Sequence, residues 1–273
     1  MVEQIEIEEF IGLMDSFPVI DVRSPGEYSQ GHIPCAVNLP LFNDGERAIV
    51  GTIYKNSGRE AAVLKGLELA GPKLAGFVKK AGQLVPRKRF LIHCWRGGMR
   101  SGQMAWLFDQ AGFQPVLLAG GYKSYRRFIR ESFSKAAEII VIGGLTGSGK
   151  TDILNHLFMM GEQVLYLERS ANHKGSVFGA LGQEKQPTNE QFENDLHEQW
   201  RHFDFHQRIW IEDESRNIGN VIIPDPLFDR IISSPMIRIG LPVEARIYRI
   251  INEYAGFDPG LLKDSIMKIS EKL

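Results

Sequence analysis

Cysteine is scarce: 273 residues contain two, Cys35 and Cys94. Two cysteines make no disulfide framework, and such usage fits a reducing compartment. There is no C-x-x-C and no H-E-x-x-H, which argues against a structural or hydrolytic zinc site. No run approaches the roughly 18 apolar residues of a membrane span, so no membrane partner is expected. The opening MVEQIEIEEF lacks a signal peptide's basic start and apolar run, so a cytoplasmic protein is expected. Repeats and low-complexity tracts are also missing. What remains is ordinary globular composition, 43% hydrophobic and 24% charged, in a chain long enough for two cores.

Net charge is nearly absent too, at −1, but its distribution is uneven. Residues 1–50 hold 2 Lys/Arg against 9 Asp/Glu, residues 51–137 hold 16 against 4, and residues 138–273 hold 14 against 20. A block of +12 between acidic flanks suggests a basic surface for a phosphate-rich partner, with binding that falls as salt rises. Lysines that merely solvate helices are the alternative reading of the same charge.

Short apolar strands alternate with helical stretches. Val19–Val22, RFLIHC (89–94) and PVLLAGG (115–121) read as core strands, and RSGQMAWLFDQAGF (100–113) as a helix. After a charged helix the pattern restarts with IIVIGG (139–144), which places a domain boundary near residue 136. RIWIEDESRNIG (208–219) reads as a later core strand ending in acids, MIRIGLPVEARIYRI (236–250) as a strand and helix, and residues 182–190 as a mobile loop. This alternation implies α/β architecture with parallel sheets.

Two loops carry the chemistry. HCWRGGMRS (93–101) joins a strand to a helix, so its backbone N–H groups gather at a helix N-terminus, where an anion is held and a thiolate is favoured. Gly97 and Gly98 let such a backbone curl inward, and Arg96 and Arg100 add charge. Cys94 is therefore the candidate nucleophile, in a cradle of Trp95, Arg96, Gly97, Gly98, Met99 and Arg100. Cys35 reads as a small buried residue. GGLTGSGKT (143–151) satisfies G-x-x-x-x-G-K-[ST] from Gly144 to Thr151, in the strand-to-helix context the motif needs. Gly144, Thr146, Gly147, Ser148, Gly149, Lys150 and Thr151 are expected to wrap a diphosphate. Thr151 is a candidate Mg²⁺ ligand, with Asp213 or Glu212 as its partner. A solvated strand end explains those acids equally well. Arg246 and Arg249 lie where arginines of small P-loop kinases reach phosphates. In RSANHKGSVFG (169–179), His173, Lys174 and Ser176 are candidate phosphate or RNA contacts, or an ordinary surface turn.

VIDVRSPGEYSQGHIPCAVNLP, the Cys94 loop and VLLAGGYKSY resemble a rhodanese domain, whose loop cysteine carries sulfur. By that resemblance Asp21, Arg23 and His32 are structural. Cys94 and Arg100 have five residues between them, a spacing similar to rhodanese-related phosphatases. A roomier ring suits an oxyanion bearing a large atom, such as selenophosphate. Phosphatase chemistry remains open for this loop alone.

The fusion with a P-loop domain, in the order CWRGGMRS, GGLTGSGKT, ANHKGSVFG and EDESRNIG, resembles the tRNA 2-selenouridine synthases over nearly all of residues 17–257. It includes GTIYKNSGREAAVLKGLEL (51–69), which a plain rhodanese lacks. The resemblance implies a rhodanese-like domain at 1–136 and a P-loop NTPase-like α/β domain at 137–273, with a C-terminal region short relative to the family. It implies conversion of wobble 2-thiouridine to 2-selenouridine in two steps: S-geranylation from geranyl diphosphate, then selenium transfer from selenophosphate through Cys94. tRNA, bound at its anticodon, and a selenophosphate supply are the implied partners. Mg²⁺ is the implied cofactor, with no tightly bound organic group. Lys123, Arg126 and Arg127 are candidate tRNA contacts, and Trp95 or Tyr122 a platform for a splayed base. The alternatives are a P-loop kinase with a phosphatase-like domain, and a non-catalytic sulfur-relay or RNA-binding adaptor.

Overall fold

The computed structural model describes residues 2–270 and divides into two compact units, Met1–Phe128 and Ile129–Leu273. The first is a five-stranded sheet in the order β1-β5-β4-β2-β3, with every pair parallel. Its strands are β1 (Glu3–Ile5), β2 (Val19–Asp21), β3 (Val37–Asn38), β4 (Arg89–His93) and β5 (Gln114–Leu118). The central strands are buried beyond their first residues and mostly apolar, as parallel strands covered by helices are; Asp21 and His93 are the polar exceptions at the carboxyl ends of β2 and β4. These helices are α1 (Ile7–Leu13), α2 (Pro25–Gln30), α3 (Asp44–Ala70), α4 (Leu74–Leu84), α5 (Met99–Gln110) and α6 (Gly121–Ser132). Phe90, Phe108 and Phe113 form an edge-to-face trio at 5.5–6.1 Å in the core.

Local sequence starts the helices where they are needed. Ser24 and Glu27 form a reciprocal capping box at the head of α2, and Asn43 and Glu46 do the same for α3. Within α3, Gly58 breaks the helix at φ 84°, ψ −175°, a conformation essentially confined to glycine. The break gives α3 two halves with separate axes.

The second unit carries a parallel sheet ordered β11-β6-β8-β7. Its strands are β6 (Ile139–Gly143), β7 (Gln163–Leu165), β8 (Ile209–Glu212) and β11 (Met236–Arg238), with an antiparallel pair, β9 (Asn217–Ile218) and β10 (Val221–Ile222), beside them in sequence. The helices are α7 (Lys150–Met159), α8 (Leu167–Ala171), α9 (Asn189–Trp200), α10 (Asp225–Ser233), α11 (Val243–Tyr254) and α12 (Pro259–Ser270). Trp200 anchors this core, with Phe133, Phe203 and Phe205 around it at 5.2–6.2 Å.

The units divide inside α6 rather than at residue 136. Phe133 belongs to the second core, and the Trp200 indole donates to the Ser132 carbonyl at 3.1 Å. The loop expected over 182–190 ends at Thr188, because α9 starts at Asn189, and Gln186 pins it. Its amide donates to Ala171 and Ile218 carbonyls and accepts from Asn220 N–H. Among the described residues no helix is long and apolar enough to cross a membrane.

An alanine Cβ at Gly58 would meet no atom within 4 Å, so any penalty there comes from the backbone alone. Gly58→Ala is expected to destabilise the first unit by about 1–3 kcal/mol, read as a lower urea midpoint. An unchanged midpoint would show that the two halves of α3 do not need this break.

Candidate functional site

Both chemical loops follow the carboxyl ends of parallel strands, where α/β sheets place their ligands. In the first unit β4 ends at His93, and residues 94–98 lead into α5. This loop is locked to the segment after β5: Tyr122 N–H donates to Cys94 O at 2.8 Å and Lys123 N–H to Trp95 O at 2.9 Å. Gly97 and Gly121 pass close together, both at positive φ, and a Cβ on Gly97 would lie 2.9 Å from the backbone nitrogens of Gly120 and Gly121. Glycine is required there. Gly98, at φ −100° with open space around it, is not under that constraint.

Cys94 is 3% exposed, and Ser101 donates its hydroxyl to Sγ at 3.1 Å. That hydroxyl contact orients the sulfur, and nothing in the sequence pattern marks Ser101 for it. Arg100 does not point freely into the loop. Its guanidinium grips Glu27 in a forked pair at 2.5 and 3.0 Å. Burial opposes ionisation of Glu27, but the Arg100 pairing prevails and holds the carboxyl below its usual range. Arg96 is exposed, while Trp95 is half-buried. A cavity of about 550 Å³ opens beside Cys94, bordered by Trp95, Met99 and Arg100 on the loop side and by α3 opposite.

Three expectations fail on burial. Tyr122 is fully buried, stacked 3.8 Å from the Arg23 guanidinium, and offers no face to a nucleic-acid base. Arg126 is 8% exposed, so its charge is not presented to a phosphate backbone; Lys123 and Arg127 on the same helix are exposed. Cys35 is exposed rather than buried, because it occupies a left-handed turn position at φ 64° that turns its side chain to solvent. The basic block does give the first unit exposed cations, among them Lys55, Lys79, Lys80, Arg87 and Lys88.

In the second unit β6 runs into the 144–149 loop and α7 begins at Lys150. Lys150 Nζ donates to the Gly144 carbonyl at 3.0 Å, across the loop. The Ser148 hydroxyl is buried in the loop and has no hydrogen-bond partner among the described residues. α11 packs over this loop. Arg246 donates to the Thr146 carbonyl at 3.4 Å, and Arg249 pairs with Asp152 beside Gly149. Thr151 and Asp213 are both exposed, at the start of α7 and just after β8. Their hydroxyl and carboxylate are the hard oxygen donors that suit Mg²⁺. Glu212 is different: it is buried, and it accepts the Glu168 N–H at 2.7 Å, which bonds β8 to the first turn of α8.

A carboxyl pair next to Lys150 went unread in the sequence. Burial, and a hydrogen bond to the Glu168 carboxylate, raise Glu214 to about 8. Burial likewise raises Glu212 to about 7. Glu214 thus holds a proton at neutral pH, within reach of the Lys150 field. Nothing in the spacing of EDES distinguishes a buried acid from a solvated one. Lys174 is tied to Glu253 at 2.6 Å. His173 is half-buried, and burial lowers its pKa. The Ser176 hydroxyl accepts from Phe178 N–H. This turn is therefore internally bonded, with partial exposure at all three candidate positions.

Residues 6–128 match the family model of the rhodanese-like domain, and residues 137–258 that of the tRNA 2-selenouridine synthase AAA domain. The tRNA 2-selenouridine synthase of Aeromonas salmonicida is 39% identical over 252 residues, covering 88% of this chain and 66% of the relative. That of Bdellovibrio bacteriovorus is 42% identical over 254 residues, covering 88% and 65%. That of Shewanella frigidimarina is 34% identical over 253 residues, covering 89% and 67%. The chain spans 65–67% of the length of these curated relatives.

The carboxyl pair predicts a pH dependence. Between about 4.5 and about 8 the folded chain keeps the Glu214 proton that the unfolded chain has released, so this group's effect on stability worsens as pH rises. Glu214→Gln mimics the protonated form. Its stability relative to wild type should therefore rise between pH 5.5 and 8.5, measured by urea unfolding. A difference that stays constant with pH would mean Glu214 is ionised throughout.

Proposed function

The chain belongs to the tRNA 2-selenouridine synthase family, and from that premise we propose that it converts wobble 2-thiouridine in tRNA to 2-selenouridine in two steps. The first is S-alkylation: the thiocarbonyl sulfur attacks the first carbon of geranyl diphosphate and diphosphate leaves. The second takes place at the Cys94 loop: selenium of selenophosphate bonds to the ring carbon as the carbon–sulfur bond breaks and geranylthiol departs, and water cleaves the phosphorus–selenium bond to release phosphate. The order has a chemical reason. Ring sulfur is a poor leaving group until alkylation turns it into a departing thiol.

The observation that carries this reading is the presence of two anion-binding loops of different chemistry, a thiol loop at Cys94 and a diphosphate loop at Lys150. In the second, Lys150 and the backbone of 144–151 receive the diphosphate. Arg246 and Arg249 lie close enough to add charge as it departs. Thr151 and Asp213 would hold Mg²⁺, which supplies further charge compensation for the leaving group. In the first, Cys94 sits at the head of α5 with the Ser101 hydroxyl donating to its sulfur. Lys123, Arg127, Arg96 and the exposed lysines of residues 51–137 receive the tRNA backbone, and the half-buried Trp95 is the remaining platform for a base. Two free cysteines, Cys35 and Cys94, are compatible with a reducing compartment for this activity.

The test supplies geranyl diphosphate and 2-thiouridine tRNA without ATP. We expect S-geranyl-2-thiouridine by mass spectrometry with the wild-type chain, and a loss of at least about 100-fold in rate with Lys150→Ala. If product forms only when ATP is added, the loop is an ordinary nucleotide site and this assignment fails.

A further inference from the structure

The cavity beside Cys94 is larger and more carbon-lined than an oxyanion requires. Its far wall is α3, the 27-residue helix broken at Gly58. The first half contributes Arg47, Val50, Gly51 and Tyr54, and the second Arg59, Ala62, Val63 and Gly66. Each set runs i, i+3, i+4, i+7, so each half presents one continuous stripe to the cavity. The two stripes repeat one pattern: arginine, small or branched apolar positions, and then the next turn. Leu41 and Phe42 add carbon from the segment preceding α3. Ala62 is buried, whereas Arg59 and Tyr54 are exposed at the solvent side. Cys94, Trp95 and Met99 complete the enclosure.

We propose that this cavity seats the prenyl chain of an S-prenylated nucleotide, placing the carbon–sulfur bond to be broken against Cys94. The proposal rests on the two-step reading above and locates one substrate of its second step. Size agrees. Ten carbon groups, each taken at roughly a water's share of about 30 Å³, need about 300 Å³, and the cavity offers about 550 Å³. Lining agrees as well. A bare selenophosphate or phosphate has no use for Leu41, Phe42, Val50, Ala62 and Val63, while a branched apolar chain gains from each of them. Arg59 lies exposed at the edge of the carbon surface, in position for a phosphate of the nucleotide that bears the chain, while Arg47 on the other half of α3 is paired with Glu27 at 3.6 Å. Rhodanese chemistry on a small anion needs none of these features. The α3 insertion is thus the element that fits the thiol loop to an apolar substrate.

The probe is geraniol, used with the full chain and no tRNA, selenophosphate or nucleotide. Iodoacetamide labelling is read by mass spectrometry, which separates Cys94 from the exposed Cys35. Geraniol should protect Cys94 saturably and leave Cys35 labelling unchanged. The five-carbon alcohol prenol should need at least about tenfold higher concentration, because half of the buried carbon is missing. Ala62→Phe and, separately, Val63→Phe should raise the geraniol concentration for half-protection by at least about tenfold, each against its own unprotected rate. If either variant fails to fold by circular dichroism, the chain-length series on wild type decides. No protection, or equal protection by geraniol and prenol, overturns the site. Geraniol seated at Cys94 in a chain that does not selenate S-geranyl RNA would sink the two-step reading and leave the cavity assignment standing.

Discussion

A guanidinium with no access to water organises the first unit. Arg23 is 0% exposed and carries its charge into the floor beneath the thiol loop. It is compensated by Asp21 at 2.6 Å and by the Gly31 carbonyl at 2.7 Å, and its plane stacks on Tyr122. Burial alone would raise the Asp21 carboxyl. His93 and Arg23 together hold it below its ordinary value, so the pair stays charged. Tyr122 in turn bonds through its backbone N–H to the Cys94 carbonyl. One buried ion pair thus ties β2, the Gly31 turn, the segment after β5 and the reactive loop together. Breaking such a pair from one side typically costs about 3–5 kcal/mol, because the other charge is left buried and alone.

The second unit uses buried acid differently. Burial pushes both Glu212 and Glu214 towards the protonated form. Lys150 is near enough to lower Glu214, yet burial and the Glu168 carboxylate outweigh it. The 144–149 loop therefore has one protonated carboxyl, Glu214, among the acids around Lys150. That lessens repulsion for an incoming polyanion at neutral pH.

Much of this was legible in the sequence where local rules dominate. Apolar runs and glycine-rich loops located β4, β5, β6 and β8 and both anion loops, since parallel strands and phosphate loops depend on nearest-neighbour chemistry. D-x-R marked the buried pair as structural. What could not be read was exposure. Arg126 and Arg127 are adjacent and chemically alike, and only the packing of α6 buries one and exposes the other. Tyr122 looked available for stacking until its ring proved to be the surface on which Arg23 lies. Residues 51–69 stood out as foreign to a plain rhodanese. Their purpose as a cavity wall depends on the break at Gly58, which faces two stripes towards a thiol 28 or more residues away in sequence.

In the proposed reaction two separable chemistries in one chain are linked by an RNA intermediate that leaves one site and enters the other. The direct measurement mixes Cys94→Ser protein with Lys150→Ala protein, supplies 2-thiouridine tRNA, geranyl diphosphate, selenophosphate and Mg²⁺, and identifies the wobble nucleoside by mass spectrometry. The account predicts S-geranyl-2-thiouridine from Cys94→Ser alone, unchanged 2-thiouridine from Lys150→Ala alone, and 2-selenouridine from the mixture. A mixture of folded variants that yields no 2-selenouridine under conditions where the wild-type chain does would contradict it.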